Sequence, residues 1–144
     1  MELEEVVRSL CLDLPDAIGA IVCDHEGESV VHAYGASPPP IEAEAEARAR
    51  MPRDFQSQLG AREFLLRLAG AEPCAVLRLI EQGGLRQGAG ALSSLELRFA
   101  AVEMLIRRLP EEFYVMLALK RPTLKARARM RLDSAARDLA RLIA

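Results

Sequence analysis

The sequence contains no tryptophan and only two tyrosines, four phenylalanines and two histidines among its 144 residues. Its three cysteines are too few for a disulfide framework, and none has the CxxC spacing of zinc and redox motifs. No apolar run approaches the ~20 residues of a membrane span. The acidic start, residues 1–5, lacks the basic residues of a signal peptide. We therefore expect a cytoplasmic protein without membrane insertion, with Cys11 and Cys23 as buried, reduced thiols.

The composition is that of one folded domain. It is 51% hydrophobic and 28% charged, and the net charge is -2. The charge is unevenly spread: residues 1–50 hold eleven of the 21 acidic residues, whereas residues 120–144 hold eight of the 19 basic ones. An acidic end and a basic end are typical of a protein that docks to another protein.

The last third of the chain has the strongest pattern. Residues 109–112, Leu-Pro-Glu-Glu, predict a turn, and the uncharged run Phe113–Leu119 predicts a strand buried on both faces and therefore central in its sheet. Thr123 is predicted to cap a final helix. One apolar stripe of that helix contains Leu124, Ala128, Leu132, Ala135, Leu139 and Leu142.

The first third predicts a helix and a hairpin. Residues 2–12 have the spacing of a short amphipathic helix. The apolar runs Ala17–Cys23 and Ser29–Tyr34 flank a polar turn, in which Gly27 is expected to have a positive φ.

The middle of the chain is less clearly patterned. Residues 41–50 predict a solvent-facing helix, and residues 54–82 predict one long helix or two, ended by Gly83-Gly84. Residues 95–109 fit either two strands joined at Ala100-Ala101 or one helix.

With this order of elements, the chain resembles the Roadblock (dynein light chain) family, most closely its bacterial branch of gliding-motility regulators of small Ras-like GTPases. Three stretches carry the resemblance: residues 17–32, with an Asp-x-x-Gly turn; residues 105–117; and residues 124–139. Thr123-Leu124-Lys125 stands where the family usually has a glycine, and residues 36–60 exceed the family's usual link.

The resemblance implies an α+β fold, a five-stranded antiparallel sheet between a long middle helix and N- and C-terminal helices. Residues 1–144 would form a single Roadblock-like domain with a flexible or helical insertion at about 36–60. Strands three and four would be Leu95–Ala101 and Val102–Arg108. The third strand would be an edge that pairs with a second copy, which makes Leu95, Leu97, Arg98 and Phe99 the predicted dimer interface.

Other chemistry has little support in the sequence. The glycine-rich residues 83–90 lack the Lys-Ser/Thr of a phosphate-binding loop, and the two histidines have no metal-ligand spacing around them. We expect no cofactor, no metal site and no catalytic residues. The basic residues of segment 120–141 could bind nucleic acid, dock a protein or form a solvated helix face; with so few aromatic residues we expect no nucleic-acid partner.

We therefore expect a non-enzymatic, homodimeric regulator or scaffold of a small Ras-like GTPase, acting in signalling and in cell polarity or motility. The alternative is a ligand-sensing or structural protein-interaction domain of similar topology without a GTPase partner. The resemblance places partner binding on the polar face of residues 61–82. The charged residues of that face are Arg62, Glu63, Arg67, Arg78 and Glu81.

Overall fold

The computed structural model of the chain describes residues 2–38 and 73–144. The predicted helix at 41–50, the part of the predicted helical region at 54–72, and the predicted insertion beyond residue 38 lie outside the described residues.

The described residues form an α+β fold with one five-stranded antiparallel sheet. The helices are α1 (Leu3–Leu12), α2 (residues 73–86) and α3 (Lys125–Ile143). The strands are β1 (Ala17–Cys23), β2 (Ser29–Tyr34), β3 (Ser94–Arg98), β4 (Val102–Arg108) and β5 (Tyr114–Lys120). In space the strands follow the order β2-β1-β5-β4-β3, and a short 3-10 helix, Pro110–Glu112, joins β4 to β5.

Strand β5 lies in the middle of the sheet, as its uncharged sequence predicted. Its side chains alternate between two cores. Val115, Leu117 and Leu119 enter the core formed with α1 and α3, and Tyr114 and Met116 enter the core beneath α2. Both faces of the strand are therefore buried, which accounts for a run without charge or alternation.

The helices divide between the two faces of the sheet. Helices α1 and α3 cover one face and pack against each other, with Val7, Leu10, Leu132 and Leu139 in their core. Helix α2 covers the other face, where Cys74 and Leu77 are its buried residues. The predicted long middle helix is not what the structure describes. The helix order is helix, two strands, helix, three strands, helix, and the described helix on that face is residues 73–86.

The end of α2 corrects the sequence prediction. Gly83 and Gly84 lie inside the helix, which continues to residue 86, and Gly88 follows it with φ of +76°. Two glycines weaken a helix without stopping it. A positive-φ glycine just beyond the last turn is the usual terminator, and Gly88 has that position.

The start of α3 also differs from the prediction. The helix begins at Lys125 after Leu124, and no side chain caps it, so Thr123 is not its cap. Leu124 is exposed because it precedes the helix and therefore lies off the apolar stripe; Leu142, in the last turn, is also exposed. The buried stripe is the remaining part of the predicted set, Ala128, Leu132, Ala135 and Leu139.

Residues 95–109 form two strands and not a helix. Strand β3 pairs antiparallel with β4 across a tight turn at Ala100-Ala101, where Phe99 N donates to Val102 O at 2.8 Å. Strand β3 ends at Arg98, so Phe99 is outside the strand and its side chain is 54% exposed. The strand is therefore shorter than the predicted Leu95–Ala101, because the turn begins at Phe99; Leu95 and Leu97 pack against the core beneath α2.

The β1–β2 hairpin turns through Gly27, whose φ is +83°. Asp24 organises the turn: its Oδ1 accepts hydrogen bonds from the backbone N–H groups of Glu26 at 2.9 Å and Glu28 at 3.0 Å. Gly27 N also donates to Asp24 O at 3.0 Å. The predicted hairpin and its positive-φ glycine are both confirmed.

The chain leaves β2 through a fixed backbone contact. Gly35 N donates to Ile18 O at 2.8 Å, and Ser37 N donates to Ala17 O at 3.0 Å. A Cβ at position 35 would lie 1.8 Å from Ala17 O, so only glycine fits there. The Ser37 hydroxyl also donates to Pro15 O at 3.0 Å.

We predict that Gly27→Val lowers the free energy of unfolding by about 1–2 kcal/mol, because a β-branched side chain is strained at positive φ. Gly27→Asn should cost much less, since asparagine tolerates this conformation. Chemical denaturation of the two variants measures the difference, and equal losses would contradict the role assigned to the turn.

Candidate partner-binding surface

Strand β3 forms one edge of the described sheet, with β4 as its neighbour on the inner side. Its side chains divide by face. Leu95 and Leu97 lie over the α2-side core, whereas Glu96 lies on the face covered by α3 and forms ion pairs with it. The outer side of this strand is the edge to which the sequence resemblance assigned a second copy.

The backbone groups at this edge follow from the pairing pattern. Phe99 N donates to Val102 O at 2.8 Å, and Arg108 N donates to Ser93 O at 2.9 Å. Hydrogen-bonded and non-hydrogen-bonded pairs alternate along an antiparallel ladder. Ser94, Glu96 and Arg98 therefore occupy the alternate pairs, and their N–H and C=O groups point away from β4, toward the open edge.

The inner face of α2 is anchored at three positions spaced three and four residues apart. Cys74 and Leu77 are fully buried against the sheet. Glu81 is 13% exposed, and its carboxylate accepts hydrogen bonds from the Tyr114 hydroxyl at 3.0 Å and from the Arg108 guanidinium. Burial and the hydrogen bond to Glu81 raise the pKa of Tyr114 to about 12. The phenol therefore stays protonated at neutral pH and remains a donor to Glu81.

The outer face of α2 is apolar. Val76, Leu79 and Ile80 follow helical spacing and are 48%, 69% and 44% exposed. We call these three residues the α2 ridge. Single exposed apolar side chains are ordinary, but several contiguous ones on one helix face mark an interaction surface.

The predicted partner-binding residues are only partly within the described chain. Arg62, Glu63 and Arg67 lie outside the described residues. Arg78 is exposed at the side of α2. Glu81 is turned toward the sheet, because its carboxylate pairs with Arg108 and Tyr114, so its charge is used within the chain.

The α2 ridge was not identified from the sequence. Val76, Leu79 and Ile80 fit the apolar periodicity of a helix within residues 54–82, and the resemblance points to the polar face of residues 61–82 as the binding face. The helix has two apolar sides, one with Cys74 and Leu77 and one with the ridge. Apolar residues on opposite sides of one helix were the available signal, but periodicity alone does not say which side meets the sheet.

The basic residues of α3 are largely paired within the chain. Arg129 binds the Glu96 carboxylate through two hydrogen bonds of 2.6 and 2.7 Å, and Lys125 Nζ lies 3.2 Å from Glu103, whose side chain is buried. Arg127 donates to Asp13 O at 3.2 Å, so α1 and α3 are also joined by their ends. These ion pairs and hydrogen bonds stabilise the fold, and they leave less unpaired positive charge on α3 for binding a polyanion.

Glu96 is the centre of this network. The hydrogen-bonded Arg129 guanidinium lowers the pKa of Glu96, and the charges of Lys125 and Arg107 act in the same direction. Arg107 in turn reaches α3 through Asp133, with Nε and Oδ1 2.7 Å apart. The network ties β3 and β4 to α3 on the face where the sheet carries charged side chains.

We predict that Glu96→Gln lowers the free energy of unfolding at pH 7 by about 0.5–1 kcal/mol, the usual value of partly exposed pairs. Because folding lowers the pKa of Glu96, its contribution is present above its ordinary value of 4.5 and is lost as the pH falls below it. The variant should therefore lose less stability than the parent between pH 5 and pH 3. The difference between the two losses should be about 0.5–1 kcal/mol, the contribution of the same ion pair.

Denaturation curves across this pH range measure the effect. Glu28→Gln, in the β1–β2 turn, removes the same charge and serves as the control. An acid profile of Glu96→Gln that is parallel to that of the parent would contradict the assignment.

The described residues offer little else that could hold a ligand. Among them, no group of three or more histidine, cysteine, aspartate and glutamate side chains could hold a metal ion. A notch of about 150 Å³ lies beside α2, lined by His25, Arg78, Glu112 and Tyr114 among others. Ligand pockets usually measure ~300–1,000 Å³, so this notch is small for a cofactor. Within residues 2–38 and 73–144, no helix is long and apolar enough to cross a membrane.

Solved structures share this arrangement of sheet and helices. MglB of Myxococcus xanthus superposes with a TM-score of 0.67 over 98% of this chain and 94% of its own, at 10% identity. A Roadblock/LC7 domain from Streptomyces avermitilis gives a TM-score of 0.68 over 99% and 98%, at 11% identity. This chain has the Roadblock fold. MglC of Myxococcus xanthus also matches, with a TM-score of 0.62 over 97% and 98%, at 15% identity.

The sequence resemblance is therefore confirmed at the level of the fold. At such low sequence identity, the structural similarity shows the fold of this chain but does not identify its binding partner. No protein-family model matches the sequence, and no curated protein matches it.

Proposed function

We propose that the protein is a non-enzymatic, homodimeric regulator or scaffold of a small Ras-like GTPase, acting in the cytoplasm. The sequence resemblance to GTPase regulators of gliding motility suggests the class of partner, and the Roadblock fold agrees with it. The observation that carries the proposal is the exposed α2 ridge, on the opposite face of the sheet from the paired charges of α3. A role in signalling, cell polarity or motility follows from this class of partner.

Self-association through β3 is the first part of the proposal. An edge strand with outward N–H and C=O groups is a template for pairing with another strand. The side chains of β3 are already held, Leu95 and Leu97 by the core and Glu96 by α3, so the strand needs little ordering before it pairs. One solved MglB structure is described as a tetrameric arrangement, a statement about that protein that agrees with an associating fold.

We predict that Arg98→Pro shifts the particle from dimer to monomer. The N–H of Arg98 points to the open edge, so proline there removes a donor from the intermolecular ladder and none from the β3–β4 ladder. The Arg98 side chain lies 3.5 Å from Glu103, and Arg98→Ala controls for the loss of that contact. Light scattering coupled to size-exclusion chromatography measures the mass.

A second control separates dimer loss from unfolding. Leu97→Pro removes an N–H that pairs with β4, so it should destabilise the fold itself. Circular dichroism of Arg98→Pro should remain that of the parent. A parent protein that is monomeric at roughly 100 µM, a concentration at which a moderately stable dimer forms, would refute association through this edge.

Docking of the GTPase on α2 is the second part of the proposal. The ridge offers apolar area, and Arg78 adds a charge at the side of the same helix. Interfaces of this kind combine an apolar centre with a polar rim. The proposed contact residues in the described chain are therefore Val76, Leu79 and Ile80. Arg78, on the side of the helix that borders the notch, remains a proposed contact, as do Arg62, Glu63 and Arg67, which lie outside the described residues.

We predict that Leu79→Glu weakens binding to the GTPase at least about tenfold, because a charge would be buried against the partner. Arg78→Glu should act in the same direction with a larger effect at low salt. Both changes are at exposed positions, so the free energy of unfolding should change by no more than about 0.5 kcal/mol. Isothermal titration with nucleotide-loaded small Ras-like GTPases of the source organism measures the affinity.

Leu124→Glu provides the matched control, because Leu124 is 75% exposed, much as Leu79 is, but precedes α3 on the other face of the sheet. It should bind the GTPase as the parent does. If Leu79→Glu also binds like the parent, the docking surface is elsewhere. If none of the GTPases binds the parent in either nucleotide state, the result favours the alternative function, a ligand-sensing or structural protein-interaction domain without a GTPase partner.

A further inference from the structure

Two of the three cysteines meet in the core beneath α2. Cys23 is the last residue of β1, and Cys74 lies at the start of the described part of α2. Their Sγ atoms are 3.0 Å apart, both are free thiols, and both side chains are fully buried. A disulfide bond is about 2.05 Å long, so the two sulfur atoms need to approach by only about 1 Å to bond.

The remaining cysteine has a different environment. Cys11 lies in the core on the opposite face of the sheet, where its Sγ contacts Ala33 O at 3.7 Å. Burial raises the pKa of Cys11 to about 12. Cys11 therefore offers an internal reference thiol, with no cysteine beside it.

The two neighbouring thiols are chemically unequal. The hydrogen bond shared with Cys23 lowers the pKa of Cys74, and the nearby charge of Arg78 acts in the same direction, whereas burial and the charge of Asp24 act against them. The same hydrogen bond, together with burial, raises the pKa of Cys23. The two thiols share one hydrogen bond and therefore titrate as a pair. We take Cys74, the thiol nearer the positive charge of Arg78, as the attacking sulfur and Cys23 as the resolving one.

We propose that Cys23 and Cys74 form a reversible disulfide that fastens α2 to β1 under oxidising conditions, with a low-molecular-weight disulfide such as oxidised glutathione as the oxidant. The Cys74 thiolate attacks one sulfur of the oxidant, the S–S bond breaks, and one glutathione leaves as a thiolate. The Cys23 thiolate then attacks the Cys74 sulfur and displaces the second glutathione. Two protein thiols lose two electrons and two protons, and the oxidant becomes two molecules of glutathione.

Access to the pair depends on α2. Because both sulfur atoms are buried, the oxidant reaches them only when the part of α2 around Cys74 separates from the sheet. The contacts that hold the helix in the described residues are those of Leu77 and Glu81, together with Cys74 itself. Oxidation therefore captures an opening of α2, and the disulfide then prevents that opening. This inference concerns the attachment of α2 and does not depend on which partner the α2 ridge binds.

The test is oxidation of the folded full-length chain by oxidised glutathione, followed by acid quenching, alkylation and peptide mass spectrometry. We expect a linked peptide pair containing Cys23 and Cys74, with Cys11 alkylated. Because the bond closes a loop of about 50 residues, the melting temperature should rise by roughly 5–10 °C and return on reduction. Low concentrations of urea should accelerate the reaction by favouring the opening of α2.

Three variants make the result specific. Cys23→Ala and Cys74→Ala should each abolish the linked peptide and the rise in melting temperature, whereas Cys11→Ala should retain both. A native protein that keeps three free thiols while its urea-unfolded form is oxidised would overturn the proposal. So would a stable glutathione adduct on Cys74 without linkage to Cys23, or a linked peptide that contains Cys11.

Discussion

The two-sided burial of β5 is the constraint on which the rest of the structure depends. A central strand with apolar side chains on both faces needs helices on both faces of its sheet. Helices α1 and α3 supply a large core on one side, and α2 supplies a smaller one on the other, where Cys74 and Leu77 are its fully buried residues. Among the three helices of the described chain, α2 therefore has the fewest buried side chains.

The fold could be predicted from the sequence where local chemistry decides it. Three local patterns predict their structures correctly. A glycine in a polar turn predicts the positive φ of Gly27, the uncharged run before Lys120 predicts a buried strand, and the apolar spacing through Leu132 predicts the buried stripe of α3. Elements decided by tertiary contacts were harder. Residues 95–109 fit two periodicities, and only the pairing of β4 with β3 and β5 decides between them. The pair Gly83-Gly84 suggests a helix end, but the helix continues to residue 86.

The candidate site was predicted less well for the same reason. A sequence identifies charged residues on a helix, but it does not show which charges are used inside the fold. Glu81 binds Arg108 and Tyr114, and Arg129 binds Glu96, so charges that looked available for a partner stabilise the chain instead. Leu79 and Ile80 are exposed, but they are apolar and have helical spacing, so the sequence alone does not distinguish them from core residues. Binding to a partner would then rest more on apolar contact than on charge.

The backbone contact at Gly35 has a consequence for how this chain can vary between relatives. Hydrogen bonds from Gly35 and Ser37 to β1 fix the chain just after β2, and the close approach to Ala17 excludes any side chain at position 35. The position of the backbone at residues 35–37 is therefore fixed by hydrogen bonds to β1. Because a side chain at position 35 would collide with Ala17 O, homologues that keep this hairpin should keep the glycine and the strand register before it.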